Sequence, residues 1–255
     1  MYTGIFDTHA HYTHKVFNRD RDELLSSLPS QGVDCVMLAG CHLADSLHSV
    51  ELAAQYPHVW CAVGVHPKHL KELAPDWCEQ LRAMAAHEKV RAIGEFGLDY
   101  SFEGYDREME YEAMMQQFAL AKELDLPVIL HFRDATGDAL EVLRQVRPKG
   151  VVHCFSGSAE TARELTDLGL YLGIGGVLTY ENARKIVEAL PVIPDDKLLF
   201  ETDCPYLTPG ADRRARNDSR NIAVVAERAA ELRGTDAQTL IHTAAENARR
   251  LFGIS

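Results

Sequence analysis

Short apolar runs rich in valine, isoleucine and leucine alternate with amphipathic stretches from one end of the chain to the other. The runs lie at Ile5 to Thr8, Val33 to Ala39, Val59 to Val65, Val90 to Phe96, Pro127 to His131, Gly150 to Cys154, Leu170 to Ile174 and Leu198 to Asp203, eight in all. Several lack strict apolar/polar alternation and most are followed by turn residues, the pattern of strands covered on both faces. Between them, Tyr111, Met114, Met115, Phe118 and Ala119 repeat at the spacing of one helical stripe, as do Leu240, Ile241, Ala244, Ala245 and Ala248. The second stripe predicts a helix that opens with Thr235 and Gln238 at capping-box spacing and stops at Gly253. Strand-helix units in this number predict one α/β domain over residues 1–255, a (β/α)8 TIM barrel whose site is built at the C-terminal ends of the strands. An open doubly wound sheet is the rival. It calls for a glycine-rich phosphate loop after the first strand, where this chain carries Asp7-Thr8-His9-Ala10-His11.

In a barrel those run ends all reach the same rim, and histidines and acids stand there. Along a strand side chains alternate faces, so Asp7, His9 and His11 are expected to project together into the mouth, the two imidazoles side by side to clamp a cation. Glu95 ends an otherwise apolar strand between Gly94 and Gly97. A carboxylate buried there without a partner costs several kcal/mol, roughly, so either an arginine or a cation is demanded. His131, His153 and Asp203 repeat the arrangement on later strands, with Glu201 on the face of Asp203. Taken singly, each histidine is more simply a satisfied core residue. As a set they suffice for two divalent cations about 3.5 to 4 Å apart, bridged by Glu95 and a water. The same alternation turns Cys154 and Cys204 outward, into the helix layer.

Composition narrows the partners. A formal charge of −12 excludes general electrostatic coating of nucleic acid, so a phosphate-bearing substrate needs local help from bound cations or from the stretch holding Arg213, Arg214, Arg216 and Arg220. The six cysteines show no C-x-x-C spacing and read as reduced packing residues. With no apolar stretch of membrane-spanning length and no readable signal segment, a cytoplasmic protein without membrane contact is expected.

The ordered motifs Asp7-Thr8-His9-Ala10-His11, Gly64-Val65-His66-Pro67, Gly94-Glu95-Phe96-Gly97-Leu98-Asp99-Tyr100, Leu126 to Arg133, His153-Cys154-Phe155-Ser156-Gly157 and Glu201 to Leu207 resemble those of the TatD family of metal-dependent deoxyribonucleases, within the amidohydrolase superfamily. The resemblance implies one metal held by His9, His11, Glu95 and Asp203 and a second by Glu95, His131 and His153, with Asp203 also serving as general base. It implies a hydrolase that cuts phosphodiesters with a metal-bound hydroxide, exonuclease-fashion, on DNA that is single-stranded or presents an end. Arg133, His66, Arg216 and Asn217 are the expected substrate contacts, and Asp7 and Glu201 the supports behind the ligands. Mg, Mn, Zn or Ni would suit the donors. Two departures bear on the substrate: Arg216-Asn217 is followed by Asp218-Ser219 where the family carries Glu-Pro, and His66-Pro67 by Lys68 where a histidine is common. The alternatives are a dinuclear hydrolase of an ester or amide, such as aminoacyl-tRNA or a small cyclic amide, and a non-catalytic, metal-stabilised binding module.

Overall fold

A computed structural model describes Met1–Ser255, apart from the side chain of Glu72. Eight strands form one sheet in sequential order, every neighbouring pair parallel: β1 (Ile5–Ala10), β2 (Val33–Ala39), β3 (Val59–Val63), β4 (Val90–Asp99), β5 (Val128–Arg133), β6 (Gly150–Val152), β7 (Tyr171–Ile174) and β8 (Leu198–Phe200). The helices between them are α1 (Arg21–Ser27), α2 (Leu43–Ala53), α3 (Trp77–Ala85), α4 (Arg107–Glu123), α5 (Thr136–Val146), α6 (Ala159–Asp167) and α7 (Arg184–Ala189), with α8 (Ile222–Arg233) and α9 (Ala237–Phe252) after β8. The sheet closes where Ala10 bridges Cys204 and the Thr8 hydroxyl donates to the carbonyl of Phe200, completing a (β/α)8 TIM barrel. Each apolar run of the sequence supplies one strand. The register shifts in β1 and β4, however, are invisible to a simple alternation.

Alternation divides the core in two. Phe6, Met37, Ala62, Ala92, Ile129, Val151 and Leu199 form an inner cluster, plugged at one end by Ala248, Leu251 and Phe252 of α9. Their neighbours along the strands, among them Val36, Val63, Ile93, Leu130 and Leu172, pack outward against the helices. Both faces are buried, which is why the strands read as continuous apolar runs. The inner plug leaves the opposite end of the barrel as the open one, and the polar run ends gather there.

One helix limit and one helix face differ from expectation. Asp236, rather than Thr235, caps α9 by accepting from the Thr239 amide, while Gln238 turns away to the backbone of Thr3. The nearer acid at the cap position outcompetes the hydroxyl one residue earlier. In α4 the buried face runs through Ala113, Met114, Gln117, Phe118 and Ala121, leaving Tyr111 and Ala119 of the expected stripe exposed. Among the described residues no helix is long and apolar enough to cross a membrane.

Candidate metal centre and catalytic cleft

Strand ends bring His9, His11, Glu95, His131, His153 and Asp203 together. Glu95 sits at the centre, nearly inaccessible, and its two oxygens face different groups. Its Oε2 is 3.2 Å from His9 Nε2 and 3.9 Å from His11 Nε2. Asp203 Oδ1 completes that group, 3.1 Å from His11 Nε2 and 3.7 Å from His9 Nε2, with the two imidazole nitrogens 3.2 Å apart. Glu95 Oε1 lies 2.8 Å from His131 Nδ1 and 2.9 Å from His153 Nε2, which are themselves 3.0 Å apart. Ligand atoms ~2.0 to 2.2 Å from one cation are separated from each other by roughly 3 Å, so both sets have edges of the right length to surround an ion. No arginine approaches Glu95 among these contacts, so the salt-bridge alternative is not what the fold builds.

The supporting hydrogen bonds fix the imidazoles for that task. His11 Nδ1 lies 3.1 Å from the carbonyl of Ala39, which places the proton on Nδ1 and leaves the Nε2 lone pair facing Asp203 and His9. His153 Nδ1 faces Glu201 Oε1 at 3.5 Å, which turns Nε2 toward the centre, and the same Glu201 oxygen accepts from the Cys154 amide. Glu201 therefore stands behind His153, as expected. Burial alone would raise the Glu95 carboxyl, but the imidazoles of His153 and His9, with hydrogen bonds from His131 and His153, outweigh it and hold it well below the carboxylate range. Burial likewise pushes Asp203 up, and His11 more than compensates, so Asp203 is also a carboxylate. For His9, burial and the neighbouring His153 lower the imidazole, which keeps it neutral and its lone pair available. The residues thus fit a pair of divalent cations with mixed imidazole and carboxylate donors.

Asp7 departs from its expected orientation. With Phe6 facing the barrel interior, Asp7 faces outward, where it accepts from the Thr202 amide and hydroxyl and from Ser219 Oγ. The register shift between Asp7 and Ala10 then brings His9 round into the mouth. Asp7 is a clamp between β1 and the chain after β8, and burial, outweighing those hydrogen bonds, raises it to about 7. Cys154 also corrects the simple alternation: its backbone is left-handed, at φ 48°, and it lines the cleft rather than the helix layer. Cys204 is fully buried in the outer cluster, as expected.

The centre opens into a cleft of about 690 Å³ bordered by His66, Lys68, Arg133 and Tyr206. His66 Nδ1 accepts the Lys68 amide, so its Nε2 carries the proton and points toward Glu95 Oε1 at 3.7 Å. Burial lowers His66 to about 3, and it is a neutral donor. Arg133 is exposed at the rim. Asn217 and Arg216 are both engaged by other residues of the chain. Asn217 is fully buried, its amide donating to the carbonyls of Thr202 and Tyr206 while its oxygen accepts from Asp218 and Asn221. Arg216 pairs with both oxygens of Asp20, at 2.7 and 2.6 Å, and lies over the ring of Phe17.

Three cleft residues were not singled out from the sequence. Asp99, wholly buried, lies 3.4 Å from His131 Nε2 and 3.3 Å from Lys68 Nζ. Its signal was present, because residues two and four beyond Glu95 share its face on a strand. Gly97 between them lets β4 press against His131, since a Cβ there would collide with that residue's carbonyl oxygen. Cys41 brings its sulfur within 3.7 Å of His11 Nδ1, a position no spacing rule announced. Tyr206 is half exposed at the mouth, edge-on to His11.

Comparison with known proteins identifies the family. The sequence pattern of the family TatD related DNase matches residues 6–253. The chain is 37% identical to the uncharacterized metal-dependent hydrolase YabD of Bacillus subtilis, over 98% of this chain and all of that protein. It is 36% identical to the 3'-5' ssDNA/RNA exonuclease TatD of Citrobacter rodentium, over 98% of each. The crystal structure of YJJV, a TatD homolog from Escherichia coli K12, superposes with a TM-score of 0.94 at 30% identity over the full length of both chains. The ester or amide hydrolase and the silent binding module are not favoured by these relatives. The chain belongs to the TatD family of metal-dependent hydrolases.

Proposed function

We propose that this protein is a dinuclear metal-dependent nuclease that shortens single-stranded nucleic acid, DNA foremost, from an end. The observation that carries the proposal is the division of Glu95, one oxygen toward His9, His11 and Asp203 and the other toward His131 and His153. The relative named a 3'-5' ssDNA/RNA exonuclease supports the substrate class. Two divalent cations, of Mg, Mn, Zn or Ni, would supply there the neutralisation of a phosphodiester and the acidification of a water. His9, His11, Glu95 and Asp203 would hold one, and Glu95, His131 and His153 the other.

The chain's own residues do the rest. Asp203, whose side chain keeps 16% of its surface open, receives the proton of the attacking water on the carboxylate oxygen not engaged by His11. Arg133 at the rim and the Nε2 proton of His66 face the non-bridging phosphate oxygens, where charge grows as the bond to the leaving oxygen breaks. Lys68, anchored by Asp99, adds a second positive group to the same wall. Arg216 and Asn217 act at a distance, by bracing the loop that carries Asp203 and Tyr206. The free cysteines and the lack of a spanning helix among the described residues are compatible with a cytoplasmic enzyme. End-labelled single-stranded DNA, incubated with protein loaded separately with each metal, tests the proposal: progressive shortening from one end is expected. An inert label under all four, or cleavage unchanged in Asp203→Asn, contradicts it.

A further inference from the structure

Beside the cleft lies a second cavity of about 330 Å³, set between the start of α5 and the start of α6. The two share a wall made of Phe132, Arg133, His153, Cys154 and Ser156, so a molecule spanning that wall touches both. The composition of the side cavity differs from that of the cleft. Its floor is apolar and buried, formed by Leu143, Val152, Phe155 and Leu165. Its rim is polar, with Ser156 and Thr161 on one side and two exposed cations, Arg133 and Lys185, at the edges.

We propose that this side cavity receives a nucleobase of the substrate, that of a nucleotide adjoining the phosphodiester cut in the cleft. The inference rests on the nuclease reading and adds a site to it. The cavity falls at the small end of the ~300 to 1,000 Å³ typical of ligand pockets, enough for a base or nucleoside but not for a longer piece of strand. A flat, uncharged ring fits an apolar floor with an aromatic side chain, whereas sugar and phosphate do not. The rim hydroxyl of Ser156 meets the hydrogen-bonding edge of a base, and the guanidinium of Arg133 stands where the strand's phosphate passes from one cavity to the other. Bases with different edges share an apolar face, so the site favours the presence of a base more than its identity.

The test uses Leu140→Phe on α5 and Thr161→Phe on α6, which fill the cavity from opposite walls without touching the metal centre. Metal-loaded wild type is given a short single-stranded oligodeoxynucleotide and its counterpart with every base replaced by hydrogen. It should prefer the base-bearing strand by roughly ten- to a hundredfold in kcat/KM, the size of a lost base–aromatic stack. Both variants should lose that preference, keep the wild-type rate on the abasic strand to about twofold, and melt near the wild-type temperature. Calorimetry gives a readout independent of turnover: wild type should bind dAMP more tightly than 2-deoxyribose 5-phosphate. Absence of the base preference, its survival in both folded variants, or equal binding of the two small ligands overturns the proposal. A wild type that cuts neither strand removes the nuclease reading itself. If dAMP is still preferred in that case, the base site stands without it.

Discussion

The ring of side chains around Glu95 and the arginine-rich stretch from Arg213 to Arg220 are both clusters of charge that follow strand ends, yet they have opposite bonding states. In the ring, the inner imidazole nitrogens face one another and carboxylate oxygens, with second nitrogens turned back to Ala39 and Glu201. Side chains arranged so satisfy each other poorly without an ion between them. In the stretch, three of the four arginines are already engaged: Arg213 lies over the ring of Tyr180, Arg216 holds Asp20 and Arg220 holds Asp218. Charge at a mouth is therefore not enough to identify a ligand site. Convergence of several buried imidazoles and carboxylates on one point is the stronger sign.

Substitutions separate the two regions by the size of their effects. Glu95→Gln keeps the shape but cannot bridge, and kcat/KM should fall by on the order of 10⁴-fold or more, with bound metal dropping by at least one ion per chain. A variant retaining both ions and most activity would dissolve the contrast. Asp203→Asn should cost roughly 10²- to 10⁴-fold in kcat, the range of a lost general base, while the circular dichroism spectrum and melting temperature stay close to wild type. Asp99→Asn removes the carboxylate behind His131 and Lys68, and metal affinity should weaken by roughly 10- to 100-fold as measured by competition with a chelator. Unchanged affinity would leave Asp99 a structural residue only.

Arg216→Ala should have the smallest effect. The pair with Asp20 is partly exposed, so its loss should cost no more than about 1 kcal/mol of stability, with kcat altered by less than about tenfold. A sharp loss of kcat/KM with stability intact would return Arg216 to the substrate. The sign of its pH dependence follows from Asp20, whose carboxyl is held below its ordinary value chiefly by the hydrogen bond from Arg216. A depressed acid stabilises the fold above its unfolded pKa, and that contribution disappears as pH falls through the folded one. The difference in melting temperature between wild type and Arg216→Ala should therefore be present at neutral pH and vanish in acid.

Much of this molecule is legible in its sequence because burial on both faces of a barrel leaves a simple trace. Each strand is an apolar run, and a polar residue that ends such a run has almost nowhere to be except the mouth. That reasoning brings His9, His11, Glu95, His131, His153 and Asp203 together at one rim. It failed where the backbone departs from period two. The shift in β1 turned Asp7 away from His9, and the left-handed turn at Cys154 exposed to the cleft a thiol assigned to the helix layer. Arg216 and Asn217 were misplaced for another reason. Their partners, Asp20, Thr202 and Tyr206, are brought to them by tertiary structure, and no local pattern distinguishes a bracing arginine from a binding one.

The central claim is that Glu95 is shared between two cations. Anomalous scattering at the metal edge, from crystals of protein purified without chelator, tests it most directly. Two peaks are expected, one on each Glu95 oxygen, the first against His9, His11 and Asp203 and the second against His131 and His153. A single peak touching one oxygen alone, or ions bound away from Glu95, would contradict the account.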